Sequence, residues 1–354
     1  MFGIKKKSQS FLGIDISCNA VKIIELSKTS EGYSVESYSK EALPPEVVVA
    51  NEIKSTEKLG DAIIKAMSKT RTKTREAAVS VSGSSVITKI IEMPAGLKDH
   101  EMEDQIVMEA DQYIPFPLDE VAIDFFELGP ATRENHVDIL LVACRQDVIN
   151  DKVLALNMGG ITPKVVDVES FVLARAMTLI EHQIPVREDG NPALVAFVDV
   201  GNSITKITIL SDGETLHYKD LDIGGKELIN AIMLQFQMNE KEAEIALKEG
   251  TLPVEYSEQI LPMYLENLAS TINREIQMFF SATEYDDVDV VVMAGGGSKI
   301  EGIVDKIQEQ TNINTELARP LEKMTFARSV NEHLIENDEP SLMIACGLAM
   351  RSFT

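Results

Sequence analysis

Twice in this chain an apolar strand ends in an aspartate, a tight turn of small polar residues follows, and two further strands return. The first copy runs from Phe11 to Tyr38 and the second from Leu194 to Leu221. In each, β-branched and apolar residues dominate the first two strands, FLGIDI and VKIIEL in one copy, LVAFVDV and ITKITIL in the other. A repeat this far apart points to a duplicated domain. It narrows the chain to α/β architectures in which two related lobes face each other. With 354 residues, 44% of them hydrophobic, there is apolar material for two cores.

Between the copies the pattern predicts a helix from Ser55 to Lys69, with Ser55 as N-cap, and a strand from Ala77 to Val81. A strand, helix, strand, strand unit follows: Val86 to Met93, Asp99 to Tyr113, Val121 to Leu128 and Val137 to Cys144. It reads as an insertion with its own small core. Its segment PFPLD, Pro115 to Asp119, is expected to pack the turn, with the edge of a binding groove as the alternative. A helix at Asp147 to Met158, a strand at Pro163 to Val168 and a helix at Ser170 to Glu181 return to the first lobe. The polar loop Val186 to Pro192 suits a lobe boundary. Acid-rich helices fill Lys226 to Ser281, and a buried-type strand, Val288 to Met293, runs into AGGGSKIEG. The expected division is 1–85 and 146–192 for the first lobe core, 86–145 for the insertion, 193–238 and 285–354 for the second lobe core, and 239–284 for a helical subdomain.

Charge and cysteine usage exclude several classes. Lys and Arg number 33 against 57 Asp and Glu, a formal charge of −24, which argues against nucleic acid because such a ligand needs a concentrated basic surface. Lys5, Lys6 and Lys7 form a small basic cluster, read first as a solvated terminus and second as a contact for anionic lipid or an acidic tail. Cys18, Cys144 and Cys346 lack zinc spacing and imply a reducing compartment. No apolar run of about 18 residues and no signal peptide is present, so a cytoplasmic chain without a membrane span is expected.

Three segments carry the chemistry: GIDISCNAVK (Gly13 to Lys22), FVDVGNSITKITI (Phe197 to Ile209) and VVVMAGGGSKIEG (Val290 to Gly302). The first two deliver Asp15 and Asp199 to turns whose short side chains leave backbone N–H groups open to phosphate. Carboxylates repel phosphate, so their useful role is to hold Mg²⁺ through its waters. Gly295, Gly296 and Gly297 lie where a strand gives way to a helix, which lets a ribose, base or α-phosphate rest on backbone.

In these segments the chain resembles the actin-like ATPase superfamily, which includes actin, the heat-shock chaperone ATPases, sugar kinases and FtsA. The resemblance implies an α/β actin-like ATPase fold, two duplicated lobes around a nucleotide cleft with a small strand, helix, strand, strand insertion in the first lobe. It implies ATP and Mg²⁺ as ligands, with Asp15 and Asp199 as metal and catalytic residues. Ser17, Cys18, Asn19 and Lys22 would serve the first phosphate motif, and Gly201, Asn202 and Thr205 the second. Gly225, Lys226, Glu244, Gly295, Gly296, Gly297 and Lys299 would serve the adenosine side. Ser17 and Cys18 depart from the usual glycine and hydroxyl residues of the first phosphate motif. The helix at Asp147 to Met158 would be the first connector between lobes, with Asn150 or Asp151 orienting water. ACGLAMRS would be the second, with Ala345 and Gly347 at its contact.

The insertion narrows the resemblance to FtsA and to the PilM family of type IV pilus assembly proteins. KKKSQSFLGIDISCNAVKIIELS, YSVESYSKEALPPEVV and ADQYIPFPLDEVAIDF look like the PilM signature. That likeness implies a scaffold with at most slow ATP hydrolysis. It would bind the cytoplasmic N-terminal tail of PilN through residues 86–145, meet other pilus inner-membrane components, sit at the inner membrane through a partner, and oligomerise as an option. An FtsA-like filament is the alternative, disfavoured because the tail stops at MRSFT without an amphipathic helix. A sugar-kinase reading lacks a catalytic base.

Overall fold

The computed structural model describes residues 10–49, 51–110 and 112–353, so the cluster Lys5 to Lys7 lies outside the described residues. Strands β1 (Leu12–Ile16), β2 (Ala20–Lys28) and β3 (Tyr33–Ala42) form an antiparallel meander. A short ribbon, β4 (Val48–Val49) with β5 (Glu52–Ile53), leads to α1 (Thr56–Ser68), whose first turn is capped where the Ser55 hydroxyl accepts the Lys58 N–H. Next, β6 (Glu76–Val81) lies parallel to β1. The inserted unit contains β7 (Val86–Pro94), α2 (Asp99–Ala110), β8 (Val121–Pro130) and β9 (His136–Arg145), its strands ordered β7-β9-β8. The chain returns through α3 (Gln146–Met158) to β10 (Thr162–Val168), parallel to β6, and then α4 (Glu169–Met177).

The second half repeats the scheme. Its meander is β11 (Leu194–Val200), β12 (Thr205–Ser211) and β13 (Glu214–Leu221). Three helices follow: α5 (Gly225–Phe236), α6 (Glu240–Glu249) and α7 (Leu261–Ala282). After them come β14 (Val290–Ala294), α8 (Ile303–Thr311), β15 (Thr315–Leu317), β16 (Thr325–Phe326), α9 (Glu332–Asp338) and α10 (Met343–Ala349). The second sheet runs β13-β12-β11-β14-β15, and the first runs β3-β2-β1-β6-β10 with β16 added outside β3. The two orders correspond strand for strand, which is the duplication read from the sequence.

Strand alternation fixes what each face meets. On β1, Leu12 and Ile14 pack with Leu59 and Ile63 of α1 and Ala155 and Leu156 of α3. On β11, Ala196, Val198 and Val200 point into the second lobe beneath α5 and α7. The opposite faces close on each other: Val195, Phe197, Val290 and Val292 join Ile24, Leu26, α4 and α10 in one seam between the sheets. Each fully buried side chain of this size contributes about 1.5–3 kcal/mol.

The seam is packed to backbone contact. A Cβ on Gly13 would stand 2.0 Å from the Ala345 carbonyl oxygen, and one on Gly347 would stand 2.4 Å from that of Val172. Small residues in ACGLA therefore let α10 settle on β1 and α4 together. Buried Asp167 ties the same elements, accepting from Arg175 Nη2 at 3.1 Å and Arg351 Nε at 2.8 Å, while Arg175 Nη1 also donates to the Gly347 carbonyl at 3.1 Å.

Three expectations change. The helix that carries the chain across to the second sheet and packs on α10 is α4, whereas α3 lies against α1 and β10. Residues from Thr325 onward, assigned from the sequence to the second lobe, reach the first sheet through β16 and α10. Pro115, Phe116 and Pro117 stand exposed, because Ile114 and Leu118 on either side supply the packing against Ala110 and Ala143.

Gly13→Ala is expected to destabilise the chain by roughly 1–3 kcal/mol or more, since the obstructing atoms are backbone and cannot rotate away. Urea denaturation checks this, and an unchanged midpoint would contradict the close approach of α10 to β1.

Candidate functional site

Each meander hairpin sets an aspartate across from a lysine. Asp15 pairs in register with Lys22, and Asp199 with Lys206. The turns close alike: the Ser17 N–H bonds the Ala20 carbonyl and the Gly201 N–H bonds the Ile204 carbonyl, both at 3.0 Å. Ser17 spends its hydroxyl inside the first turn, donating to the Ala20 carbonyl at 3.0 Å, so the departure from glycine stiffens that turn. In the second, the start of α5 is stapled down, with Gly225 N–H on the Gly201 carbonyl at 3.0 Å and Lys226 N–H on that of Asn202 at 2.7 Å.

The glycine run completes the arrangement. Gly295 adopts φ +85°, and a Cβ there would lie 2.2 Å from Asp199 Oδ1. One on Gly297 would lie 2.5 Å from Val200 Cγ1. At Gly296 a Cβ would meet nothing within 4 Å. The outer two glycines thus lay the loop against the second aspartate turn, while the middle one faces open space.

All three segments line one cavity of about 860 Å³ between the lobes. It brings together Asp15, Ser17, Cys18, Asn19 and Lys22 with Asp199, Gly201, Asn202, Gly225, Glu244, Gly295, Gly296, Gly297 and Lys299. Four sequence candidates do not line it. Thr205 is 0% exposed and gives its hydroxyl to the Ile223 carbonyl at 2.7 Å. Lys226 contributes its backbone N–H to the turn and leaves its side chain exposed. Asn150 and Asp151 sit elsewhere on α3, which turns Lys152 toward the cavity instead.

The lining reverses the charge balance of the chain. Lys22, Lys40, Lys152, Lys206, Lys248 and Lys299 outnumber Asp15, Glu169, Asp199, Glu244 and Glu301 there, in a protein with 33 basic against 57 acidic residues. The hollow thus lacks the acidic excess of the rest of the protein, which makes it the more favourable place for an anionic ligand. Buried Lys22 donates to Asp15 Oδ2 and to the Ser341 carbonyl, each at 2.9 Å. Burial works to lower its pKa, but the charge and hydrogen bond of Asp15, helped by Asp199, hold it above the ordinary lysine value. Lys206 bonds both Glu169 oxygens, at 2.5 and 2.8 Å, and this pairing outweighs burial to hold its pKa high. Burial pushes the Asp199 carboxyl up, with Lys206 and Lys22 opposing. Lys152 is pulled down by burial, against the pull of Glu169 and Asp15.

Sequence reasoning missed Lys206, Glu169 and Lys152. Lys206 had a signal, since it follows Asp199 by the same offset as Lys22 follows Asp15. Glu169 and Lys152 had none, because their inward orientation follows from how α4 and α3 pack.

The lining fits a Mg²⁺-chelated nucleotide. No group of three or more His, Cys, Asp or Glu able to hold a metal occurs among the described residues. Asp15 and Asp199, both in the lining, would be the carboxylates available to a Mg²⁺ ion that keeps its waters. The cavity lies within the ~300–1,000 Å³ usual for small-molecule sites.

A family model described as Type IV pilus assembly protein PilM matches residues 13–353. Among solved structures, one titled "PilM-PilN type IV pilus biogenesis complex" superposes with a TM-score of 0.79 at 24% identity, covering 98% of this chain and 99% of that one. The ethanolamine utilization protein EutJ from Carboxydothermus hydrogenoformans matches with a TM-score of 0.57 at 13% identity, over 96% of this chain and 89% of its own. The fold they share is that of the actin-like ATPases.

Gly295→Ala and Gly296→Ala should separate in a thermal melt. The first meets Asp199 and a left-handed backbone and should lower Tm by roughly 4 °C or more, and the second should leave it within about 1 °C. Equal effects would contradict the described loop.

Proposed function

Because this chain belongs to the type IV pilus assembly protein PilM family, we propose that it is an ATP- and Mg²⁺-binding scaffold that holds the cytoplasmic N-terminal tail of PilN. The observation that carries the nucleotide half is that Asp15 and Asp199, from the two copies of one motif, line a single cavity whose lysines balance its carboxylates. The bound Mg²⁺ would neutralise part of the phosphate charge. Asp15 and Asp199 would hold its water shell, the backbone of the two turns would receive phosphate oxygens, and Gly295 to Gly297 would carry the adenosine side. Lys22 and Lys206, fixed by Asp15 and Glu169, offset the carboxylate charge and keep the carboxylates oriented. A ligand touching both hairpins favours the closed arrangement of the lobes only as far as it binds that arrangement better.

In this reading residues 1–85 and 146–192 form the first lobe core, joined by β16 and α10 from the end of the chain, and 193–238 with 285–324 form the second, with 239–284 as its helical subdomain. Residues 86–145 form the partner-binding unit. The relative with the highest TM-score quoted above was solved as a PilM-PilN complex, and the inserted unit offers an extended tail suitable features. Its strands β7 and β8 are sheet edges able to accept a further strand. Ile90 and Phe126 stand exposed in one row across its outer face, both in register with Leu140. No helix among the described residues is long and apolar enough to cross a membrane, and in this proposal PilN supplies the link to the inner membrane and its other pilus components.

Calorimetry with Mg·ATP tests the first half: Asp15→Asn and Asp199→Asn should each weaken binding about tenfold or more, and the first should also lower Tm because buried Lys22 loses its charge partner. Affinity unchanged in both would remove the site. For the second half, residues 86–145 can be replaced by a short Gly-Ser linker, since Val86 and Cys144 are neighbours across strands at the root of the unit. That chain should keep ATP binding and lose a fluorescent PilN N-terminal peptide. Peptide binding that survives would place the partner surface elsewhere.

A further inference from the structure

Cleft and inserted unit meet in one helix. The central strand of the inserted sheet, β9, ends at Arg145, and α3 begins at Gln146 with no loop between them. About two turns along that helix, ~10 Å from its start, Lys152 enters the cavity wall. The residue is only 7% exposed. Its ammonium makes no hydrogen bond or ion pair among the described residues, whereas Lys22 and Lys206 are held by Asp15 and Glu169. The nearby carboxylate of Glu169 is occupied through both oxygens by Lys206.

The stem of Lys152 is buried while its ammonium faces the cavity without a protein partner, and such a group suits a ligand that brings the missing anion. The apolar stretch of the cavity, Leu228, Ile229, Leu247 and Tyr256, lies on the second lobe and suits a base. Lys152 comes from the opposite lobe, close enough to Asp15 and Glu169 to feel their charge. A nucleotide whose base lies on the second lobe and whose phosphates run between the two hairpins would bring its last phosphate toward this side. The far end of α3 is fixed, since a Cβ on Gly159 would lie 2.4 Å from Ile63 Cγ2 of α1. What happens at Lys152 is therefore felt along α3 toward β9.

The geometry points to Lys152 as the residue that meets the outermost phosphate of a nucleoside triphosphate and, through α3, relays that contact to the inserted unit. This rests on the nucleotide-binding reading above. It assigns to one side chain both the preference for triphosphate over diphosphate and the dependence of partner binding on the nucleotide.

The test uses the full chain with Lys152→Met and Lys152→Arg, titrated with Mg·ATP, Mg·ADP and a PilN N-terminal peptide. Lys152→Met should lose about tenfold or more in ATP affinity and no more than about twofold for ADP. Peptide affinity should differ between the ATP and ADP forms of the wild-type chain and become equal in Lys152→Met, while Lys152→Arg restores both preferences. Without nucleotide, Lys152→Met should melt at or above the wild-type temperature, because the side chain gives up no protein partner and an unpaired charge leaves a largely buried position. An unchanged ATP to ADP ratio, or a drop in the nucleotide-free Tm, would make Lys152 a structural residue and overturn the assignment. Peptide affinity that ignores the nucleotide in the wild-type chain would overturn the relay. A wild-type chain that binds neither nucleotide would overturn the underlying reading as well.

Discussion

The pleat of two strands governs the rest of this structure. On β11 the face that sends Val195 and Phe197 into the seam between the lobes must, two residues further on, send Asp199 the same way. On β1 the corresponding face carries Gly13 and then Asp15. Both faces are dry where α4 and α10 fill the seam and open to the cavity where those helices end. Each aspartate is carried to the rim of the apolar contact by the same alternation that builds it. A shift of one residue in either strand would turn its aspartate into a lobe core and its core residues into the cleft.

Holding two carboxylates at such a rim has an electrostatic cost, which the structure offsets locally. Lys22 and Lys206 lie in register beside Asp15 and Asp199, so the duplication supplies a positive charge with each negative one. The pairs are used differently: Lys22 bonds its own aspartate, whereas Lys206 is drawn to Glu169 of α4. The second aspartate is left less tightly paired and, being buried, has its carboxyl pushed up. Around these pairs the wall keeps at least as many lysines as carboxylates, unlike the acidic surface of the rest of the protein.

Much of this was legible in the residues. The repeated strand, aspartate and turn gave the two lobes, the glycine run gave the third wall of the site, and the break in pattern from Val86 to Arg145 marked the inserted unit. These features survive in one dimension because they depend on neighbours two to seven residues apart. Other features depend on packing at long range. That α4 rather than α3 joins the lobes, that β16 returns to the first sheet, and that Lys152 rather than Asp151 faces the cavity follow from helix rotation and seating. Thr205 illustrates the converse: its place in the motif is regular, yet the hydroxyl turns inward to the Ile223 carbonyl and serves the fold.

The most direct measurement is anomalous diffraction from crystals grown with Mn²⁺ and a non-hydrolysable ATP analogue. The account predicts one metal peak between the lobes, roughly 4–5 Å from the carboxylates of both Asp15 and Asp199 and in contact with the phosphates. A metal bound beside only one of the two, or a nucleotide seated outside the shared cavity, would contradict it.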